Sequence, residues 1–248
     1  MKLTDAVMSV GFDYRLGDFQ ELAEPDSLLR TMDRFRIDRA LIRAGDSLAS
    51  GFAESNRRLF SIAARHDRFI PAPIVVPDTA AETGESEAFI AGLVEQGAMA
   101  AWLMPKSYEI PLLPATIGPL CVALQAHALP LFLDRQEIGP AELAQLCSAW
   151  PELKVVLCGG SHRMERWIYT FLEIYPNLYL GTVPPSYTNE GIEHMVRRCG
   201  PARLLFATSY PLGDPAGTIA CLSYAAIPDA ARESIGHGNL EGLLKCVH

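Results

Sequence analysis

Short apolar runs alternate with segments of helical periodicity along the whole chain. The runs that predict buried strands cover residues 5–10, 40–43, 69–76, 98–104, 129–133, 154–158, 178–183 and 204–207. The segments that predict helices cover residues 25–35, 54–66, 86–96, 118–128, 141–150, 164–175, 191–198, 216–225 and 230–235. Each predicted strand is therefore followed by a predicted helix.

Eight strand and helix units in succession favour a closed parallel barrel over an open doubly wound sheet. We therefore predict the α/β class and a (β/α)8 TIM-type barrel. The length of 248 residues suits one such barrel, and no charged block or Gly/Ser tract divides the chain. The sequence thus predicts one domain over residues 1–248.

In such a barrel the carboxyl ends of the strands carry the chemistry. The residues that the predicted strands deliver to this rim are 9–15, Arg43, Asp78, Lys106, Asp134, Arg135, 159–162, 184–187 and 208–214. Cys158 ends an apolar strand and is predicted to be a small core residue rather than a reactive thiol. Trp102 lies in the fourth predicted strand, and its direction is left open.

The last strand and the loop after it read Arg203-Leu-Leu-Phe-Ala-Thr-Ser-Tyr-Pro-Leu-Gly-Asp-Pro215. This stretch resembles the closing motif LLFGTDYP of the amidohydrolase-related family, the branch of metal-dependent hydrolases and decarboxylases. Thr4-Asp-Ala-Val-Met-Ser9 is similar to the opening IDAHVH strand of that family, and residues 56–77, 153–160 and 235–244 resemble further segments. The resemblance implies the barrel fold and a structural asparagine at Asn239.

The family's metal ligands are replaced at the matching positions. The two histidines of the first strand fall on Val7 and Ser9, and the later ligands fall on Asp134, Gly159 and Ser209. A transition metal in such a barrel requires three or more convergent His or carboxylate ligands. His162 is the only histidine at a predicted strand end. We therefore expect no metal and no other cofactor.

Asp134 and His162 come from adjacent predicted strands, which indicates an acid–base pair in which the carboxylate orients the imidazole. Ser209 is the candidate nucleophile. The predicted substrate-binding residues are Arg43, Lys106, Arg135, Tyr210, Ser9 and Asp13. Two alternatives stay open: Asp134 could pair with Arg135 or Arg43, and residues 159–162 could be a tight turn with Ser161 as a helix cap rather than an anion site.

The net charge is −8, and Lys and Arg form no stripe, which argues against nucleic acid and anionic membranes as partners. The six cysteines have no paired spacing, which is typical of reduced thiols, and the first residues lack the apolar core of a signal peptide. We expect a cytoplasmic protein with a small-molecule, anionic ligand. Assembly into a homo-oligomer is left open.

Together these features predict an amidohydrolase-like, metal-free hydrolase that acts on a C–O or C–N bond of a small anionic carbonyl compound. One alternative is a catalytically inactive barrel that binds a metabolite or a protein partner. Another is a decarboxylase of the same family. The chemistry of the strand-end site distinguishes these alternatives, since a fold by itself assigns no function.

Overall fold

The computed structural model describes residues 1–182 and 190–248. These residues form eight parallel strands. The strands are β1 (Thr4–Val10), β2 (Arg39–Ala44), β3 (Phe69–Pro71), β4 (Ala101–Trp102), β5 (Leu131–Asp134), β6 (Val155–Cys158), β7 (Leu178–Thr182) and β8 (Leu204–Phe206). They follow one another in space in the order of the sequence.

The same residues form eleven α-helices, of which eight lie between strands and three follow β8. They are α1 (Pro25–Phe35), α2 (Ser47–Ser50), α3 (Phe52–Ala63), α4 (Ser86–Glu95), α5 (Pro114–Ala126), α6 (Pro140–Ala149), α7 (Glu165–Ile174), α8 (Gly191–Cys199), α9 (Pro215–Tyr224), α10 (Asp229–Glu233) and α11 (Asn239–Leu244). In the part of the chain that is described, no helix has the length and apolar character needed to span a membrane.

Two junctions close the strands into a barrel. Between β3 and β4, Val75 N–H donates to the Trp102 carbonyl at 2.8 Å, and Trp102 N–H donates to the Pro73 carbonyl at 2.8 Å. Between β8 and β1, Ser9 N–H donates to the Tyr210 carbonyl at 2.9 Å. The predicted (β/α)8 TIM-type barrel is therefore confirmed.

β3 and β4 are shorter than the sequence predicted because Pro71 and Pro73 cannot donate to the ladder. The side chain of Asn56, in α3, supplies the hydrogen bonds that the backbone of Ile74 would otherwise lack at this point. Its Nδ2 donates to the Ile74 carbonyl at 2.8 Å, and its Oδ1 accepts from Ile74 N–H at 2.8 Å. A buried side-chain amide thus takes the place of a neighbouring strand.

α5 begins at Pro114 rather than at residue 118, where the sequence predicts its start. Pro114 occupies the first turn, where a missing N–H costs nothing, and Pro119 lies inside the helix. The sequence prediction put the first turn next to Pro119, one turn too late. Near the end of the chain, Asn239 Nδ2 donates to the carbonyls of Pro201 at 2.7 Å and Leu204 at 2.8 Å, which fits a structural role.

Apolar side chains pack in two layers that follow the alternation of the strands. In β6, Val155 and Leu157 face the helices, whereas Val156 and Cys158 face the barrel interior. The interior layer includes Trp102 and Phe132, whose ring centroids are 5.6 Å apart. The barrel is thus filled by side chains, most of them apolar.

Asp5 and Thr208 join β1 to the end of β8 inside the protein. Both side chains are fully buried. Asp5 Oδ1 accepts from Val7 N–H at 2.9 Å and Thr208 N–H at 3.0 Å, and its Oδ2 accepts from the Thr208 hydroxyl at 2.5 Å. Thr208 Oγ1 in turn accepts from Tyr210 N–H at 3.1 Å. This network fixes the first and last strands relative to each other.

Burial raises the pKa of Asp5 from its ordinary value of 3.8 to about 7, although the three hydrogen bonds oppose the shift. The folded chain therefore holds a proton on Asp5 in a pH range where the unfolded chain has released it. As a result, the contribution of Asp5 to stability is fully present below pH 4 and is lost as the pH rises to about 7. The loss amounts to about 4 kcal/mol.

We predict that Asp5→Asn flattens this pH dependence, because an amide keeps the oxygen that accepts the two N–H groups and cannot ionise. Urea unfolding at pH 5 and pH 7.5 measures the effect. The free energy of unfolding should fall less between the two pH values in Asp5→Asn than in the wild type. The exposed Asp18→Asn variant is the control, and an identical fall in all three proteins would contradict the interpretation.

Candidate active site at the barrel mouth

Several strands place polar side chains at the mouth of the barrel. Ser9 of β1 lies opposite Arg43 of β2 in the parallel register, and Asp134 of β5 lies opposite Cys158 of β6. Asp13 and Arg15 follow β1 in the loop. The charges of Arg15, Arg43, Asp13 and Asp134 act on one another, so they belong to one cluster.

Arg43 is the only buried Lys or Arg among the described residues, with 7% of its surface exposed. The carbon of its guanidinium lies 5.2 Å from the centre of the Trp102 ring, in a cation–π contact. It makes no hydrogen bond or ion pair with any residue that the structure describes. Burial, followed by the charge of Arg15, lowers the pKa of Arg43, while Asp134 and Asp13 partly compensate.

Asp13 holds Arg15 in a bidentate ion pair. Arg15 Nε donates to Asp13 Oδ1 at 2.8 Å and Nη2 donates to Oδ2 at 2.5 Å. Burial would raise the pKa of Asp13, but the hydrogen bonds and the charge of Arg15 outweigh it and keep that pKa below its ordinary value. Because the Arg15 side chain is 31% exposed, it lies at the rim, within range of the charge of Asp134.

Asp134 is half-buried at the end of β5. Its Oδ1 accepts from the backbone N–H of Gln136 at 2.8 Å, and no ion pair occupies the carboxylate among the described residues. Burial, followed by the nearby Asp134 carboxylate, raises the pKa of the Cys158 thiol well above its ordinary range. The thiol is therefore neutral, which agrees with its predicted role as a core residue.

His162 is not joined to Asp134. It is exposed, it begins a short 3-10 helix, and neither a hydrogen bond nor an ion pair connects these two described residues. Ser161 caps this helix by accepting from Arg163 N–H at 3.3 Å. The local geometry fits the tight-turn alternative for residues 159–162.

Two of the three basic residues among the predicted substrate-binding set, Arg135 and Lys106, point elsewhere. The Arg135 guanidinium donates to the Ile138 carbonyl at 2.9 Å and lies 5.6 Å from the centre of the Trp167 ring, which belongs to α7. Lys106 is exposed on the loop after β4 and lines an outer groove together with Arg135. The structure therefore brings Arg15, rather than Lys106 or Arg135, close to Arg43.

Ser209 and Tyr210 diverge after β8. Ser209 is half-buried with a left-handed φ of 58°, and its carbonyl accepts from Gly213 N–H at 2.9 Å. A side chain at Gly213 would bring its Cβ within 2.1 Å of the Thr208 carbonyl oxygen, so this turn requires glycine. Tyr210 is buried in the layer outside the strands. Of these two residues, only Ser209 remains a candidate for a side chain that lines the mouth of the barrel.

Three residues of this region have no role that the sequence predicts. Arg15 lies inside the candidate segment 9–15, and its spacing from Asp13 is the signal that allows the pair. The direction of Trp102 cannot be told from its strand, and Asp5 is only part of a motif. The predicted rim segment 184–187 lies outside the described residues.

The positions that the resemblance pairs with the family's metal ligands carry Val7, Ser9, Asp134, Gly159 and Ser209. Val7 belongs to the apolar interior layer, and Ser9, Gly159 and Ser209 supply no carboxylate or imidazole. Within residues 1–182 and 190–248, no group of three or more His, Cys, Asp or Glu side chains could hold a metal, and residues 183–189 contain none of these residue types. A buried guanidinium also places a positive charge at the mouth already.

Comparisons with solved structures agree with this fold. An uncharacterised TIM-barrel protein from Bordetella bronchiseptica has a TM-score of 0.79 at 17% identity, over 99% of both chains. A 2,6-dihydroxybenzoate decarboxylase from Rhizobium has a TM-score of 0.74 at 16% identity, over 99% of both chains. A probable 2-pyrone-4,6-dicarboxylic acid hydrolase from Acinetobacter baumannii, with citric acid bound, has a TM-score of 0.75 at 15% identity, over 99% of this chain and 100% of that one.

No curated protein matches the sequence. The sequence model of one family does match, and its description is amidohydrolase. The match runs over residues 13–244 and so includes the strands from β2 to β8 as well as the ion pair of Asp13 and Arg15. With its closed barrel and this match over most of its length, the chain belongs to the amidohydrolase family.

Proposed function

We propose that the chain binds a small carbonyl compound bearing a carboxylate at the barrel mouth and hydrolyses a C–O or C–N bond in it without a metal ion. The observation that carries this proposal is the buried Arg43 guanidinium above Trp102, which lacks an anionic partner within 4 Å among the described residues. A buried charge without a partner is unfavourable. A ligand carboxylate that pairs with Arg43 removes this cost, and the planar guanidinium suits it.

In this proposal Arg43 and Arg15 bind the carboxylate, and Asp13 is a positioning residue that holds Arg15. Asp134 is the general base: it takes a proton from water, the oxygen of that water bonds to the carbonyl carbon, and the proton passes to the leaving oxygen or nitrogen as the C–O or C–N bond breaks. We assign this role to Asp134 without His162, because the two are not hydrogen-bonded. The Ser9 and Ser209 hydroxyls are assigned to orienting the substrate.

Decarboxylation is the second candidate, because the structural neighbours include a 2,6-dihydroxybenzoate decarboxylase. In that reaction the bond between the ring carbon and the carboxylate breaks and releases carbon dioxide, protonated Asp134 would give its proton to that carbon, and water would restore the proton on Asp134. The two candidates share the carboxylate site, whereas an inactive barrel would bind the ligand without turnover. Product analysis with an aromatic acid and with a lactone bearing a carboxylate separates these outcomes.

We predict that Arg43→Met weakens carboxylate binding by about 30-fold or more, because truncating one member of a buried charge pair costs at least about 2 kcal/mol. Isothermal titration with 2,6-dihydroxybenzoate, 2-pyrone-4,6-dicarboxylate and citrate measures the affinity. The melting temperature should stay equal or rise, since the variant removes an unpaired buried charge.

Arg135→Met is the matched control, because this guanidinium is held by Ile138 and Trp167 rather than at the mouth. It should leave the affinity within about threefold of the wild type. Equal losses in the two variants, or binding of the neutral amide of each acid as tightly as the acid, would refute the assignment of Arg43.

We predict that Asp134→Asn lowers kcat by about 100-fold or more while carboxylate affinity changes little, because the amide keeps the bond to Gln136 but cannot accept a proton. A screen of lactones and amides bearing a carboxylate provides the substrate. If Asp134→Asn keeps the wild-type kcat, Asp134 is not the general base. Tight binding with no turnover of any compound by the wild type would support the inactive barrel.

We predict that protein purified without a chelator contains no stoichiometric zinc, manganese or iron, and that chelation changes neither its melting temperature nor its turnover. Elemental analysis and a thermal melt before and after chelation make the measurement. A metal that binds only the folded state would raise the melting temperature. A stoichiometric metal with a melt that falls on chelation would therefore overturn the metal-free proposal.

A further inference from the structure

α5 lacks the polar outer face that a helix on the outside of a barrel normally has. None of its 13 residues is Asp, Glu, Lys or Arg, although 20% of the chain is charged. Ile117, Leu120 and Leu124 are buried against the strands. The opposite side exposes Ala115, Pro119, Val122 and Ala126, and Val122 is 59% exposed.

The neighbouring α6 continues this uncharged surface. Its one charged residue, Glu142, lies in the first turn and accepts from Gly139 N–H at 2.9 Å. Ala141, Gln145, Ser148 and Ala149 are the other exposed positions of the helix. Trp150, at the end of α6, lies against Gly118 of α5. The two helices therefore present adjoining outer faces without a free charge.

A groove of ≈ 570 Å³ lies between these elements. Leu113 and Pro114 line one side, and Ala149, Trp150 and Tyr175 line the other. Leu113 is 57% exposed, and Ile174, next to Tyr175, is 59% exposed. We call the groove together with the uncharged exposed positions of α5 and α6 the α5–α6 face, which leaves out Glu142 in the first turn of α6. Exposed apolar surface of this extent, without an intervening charge, is typical of an interface between proteins.

The charge of the chain indicates which partner suits the α5–α6 face. With a net charge of −8, two copies repel each other over most contacts. In a twofold dimer the same patch meets itself, so a suitable patch must carry no charge that would face its own copy. The α5–α6 face meets this condition, and the exposed Val122 and Leu113 side chains can enter the groove of the second copy.

The size of the α5–α6 face is also sufficient. A helix of 13 residues is about 20 Å long, and two packed helices lie about 10 Å apart. With the flanking Leu113 and Tyr175, the footprint is roughly 600 Å² per copy, at the low end for stable interfaces. We propose that the α5–α6 face is the interface of a homodimer, formed on the flank of the barrel and away from the mouth.

Sedimentation equilibrium of the full chain over a wide range of concentration tests this proposal. The wild type should approach twice the chain mass of 27.1 kDa as concentration rises. Val122→Glu should weaken the dimer by about 100-fold or more, because each interface would then bury two unpaired carboxylates. Ala53→Glu, an exposed alanine of α3, is the matched control and should leave the dimer unchanged.

The melting temperature of dilute Val122→Glu shows whether the variant folds, and its carboxylate affinity should equal that of the wild type because the mouth is separate. A wild type that remains monomeric at high concentration would overturn the proposal, as would a folded Val122→Glu that dimerises as the wild type does. A monomeric wild type that co-sediments with phosphatidylcholine vesicles would assign the α5–α6 face to a lipid surface instead.

Discussion

The closure of the barrel between its first and last strands is the constraint on which the rest of this structure depends. Asp5 accepts three hydrogen bonds, two of them from Thr208. The Thr208 hydroxyl oxygen in turn accepts a hydrogen bond from Tyr210 N–H. This network brings Ser9 and the loop with Asp13 and Arg15 to the same rim as Ser209. It also buries the carboxyl group of Asp5 completely, so the protonation of Asp5 is linked to folding.

The charge arrangement at the rim follows from this closure. Asp13 forms an ion pair with Arg15, whereas Arg43 and Asp134 lie in the same cluster without forming an ion pair. Arg43 instead lies over Trp102, a residue that the β3–β4 junction holds in the barrel interior. A cation therefore lies at the mouth of the barrel. We regard the guanidinium as the positive charge that a ligand carboxylate meets.

The outer surface of the barrel has both charged and uncharged parts. The chain carries a net charge of −8 and 20% charged residues, whereas α5 and α6 together have one charged side chain, Glu142, which caps the start of α6. Function at the mouth and association on the flank would thus use separate surfaces. This separation allows each proposal to be tested without disturbing the other.

The sequence by itself determined the barrel, because strands buried on both faces and amphipathic helices have local patterns that differ in period. It also located the rim, since strand ends can be identified wherever an apolar run gives way to polar residues such as Asp134. It could not determine which rim side chains meet. The direction of the Arg135 side chain, toward Trp167 or toward Arg43, depends on packing between strands that are distant in the chain. The inward direction of Trp102 depends on the same packing. Only the tertiary structure decided that Arg15 lies near Arg43, because the direction of a loop side chain is set by its neighbours in space rather than in sequence.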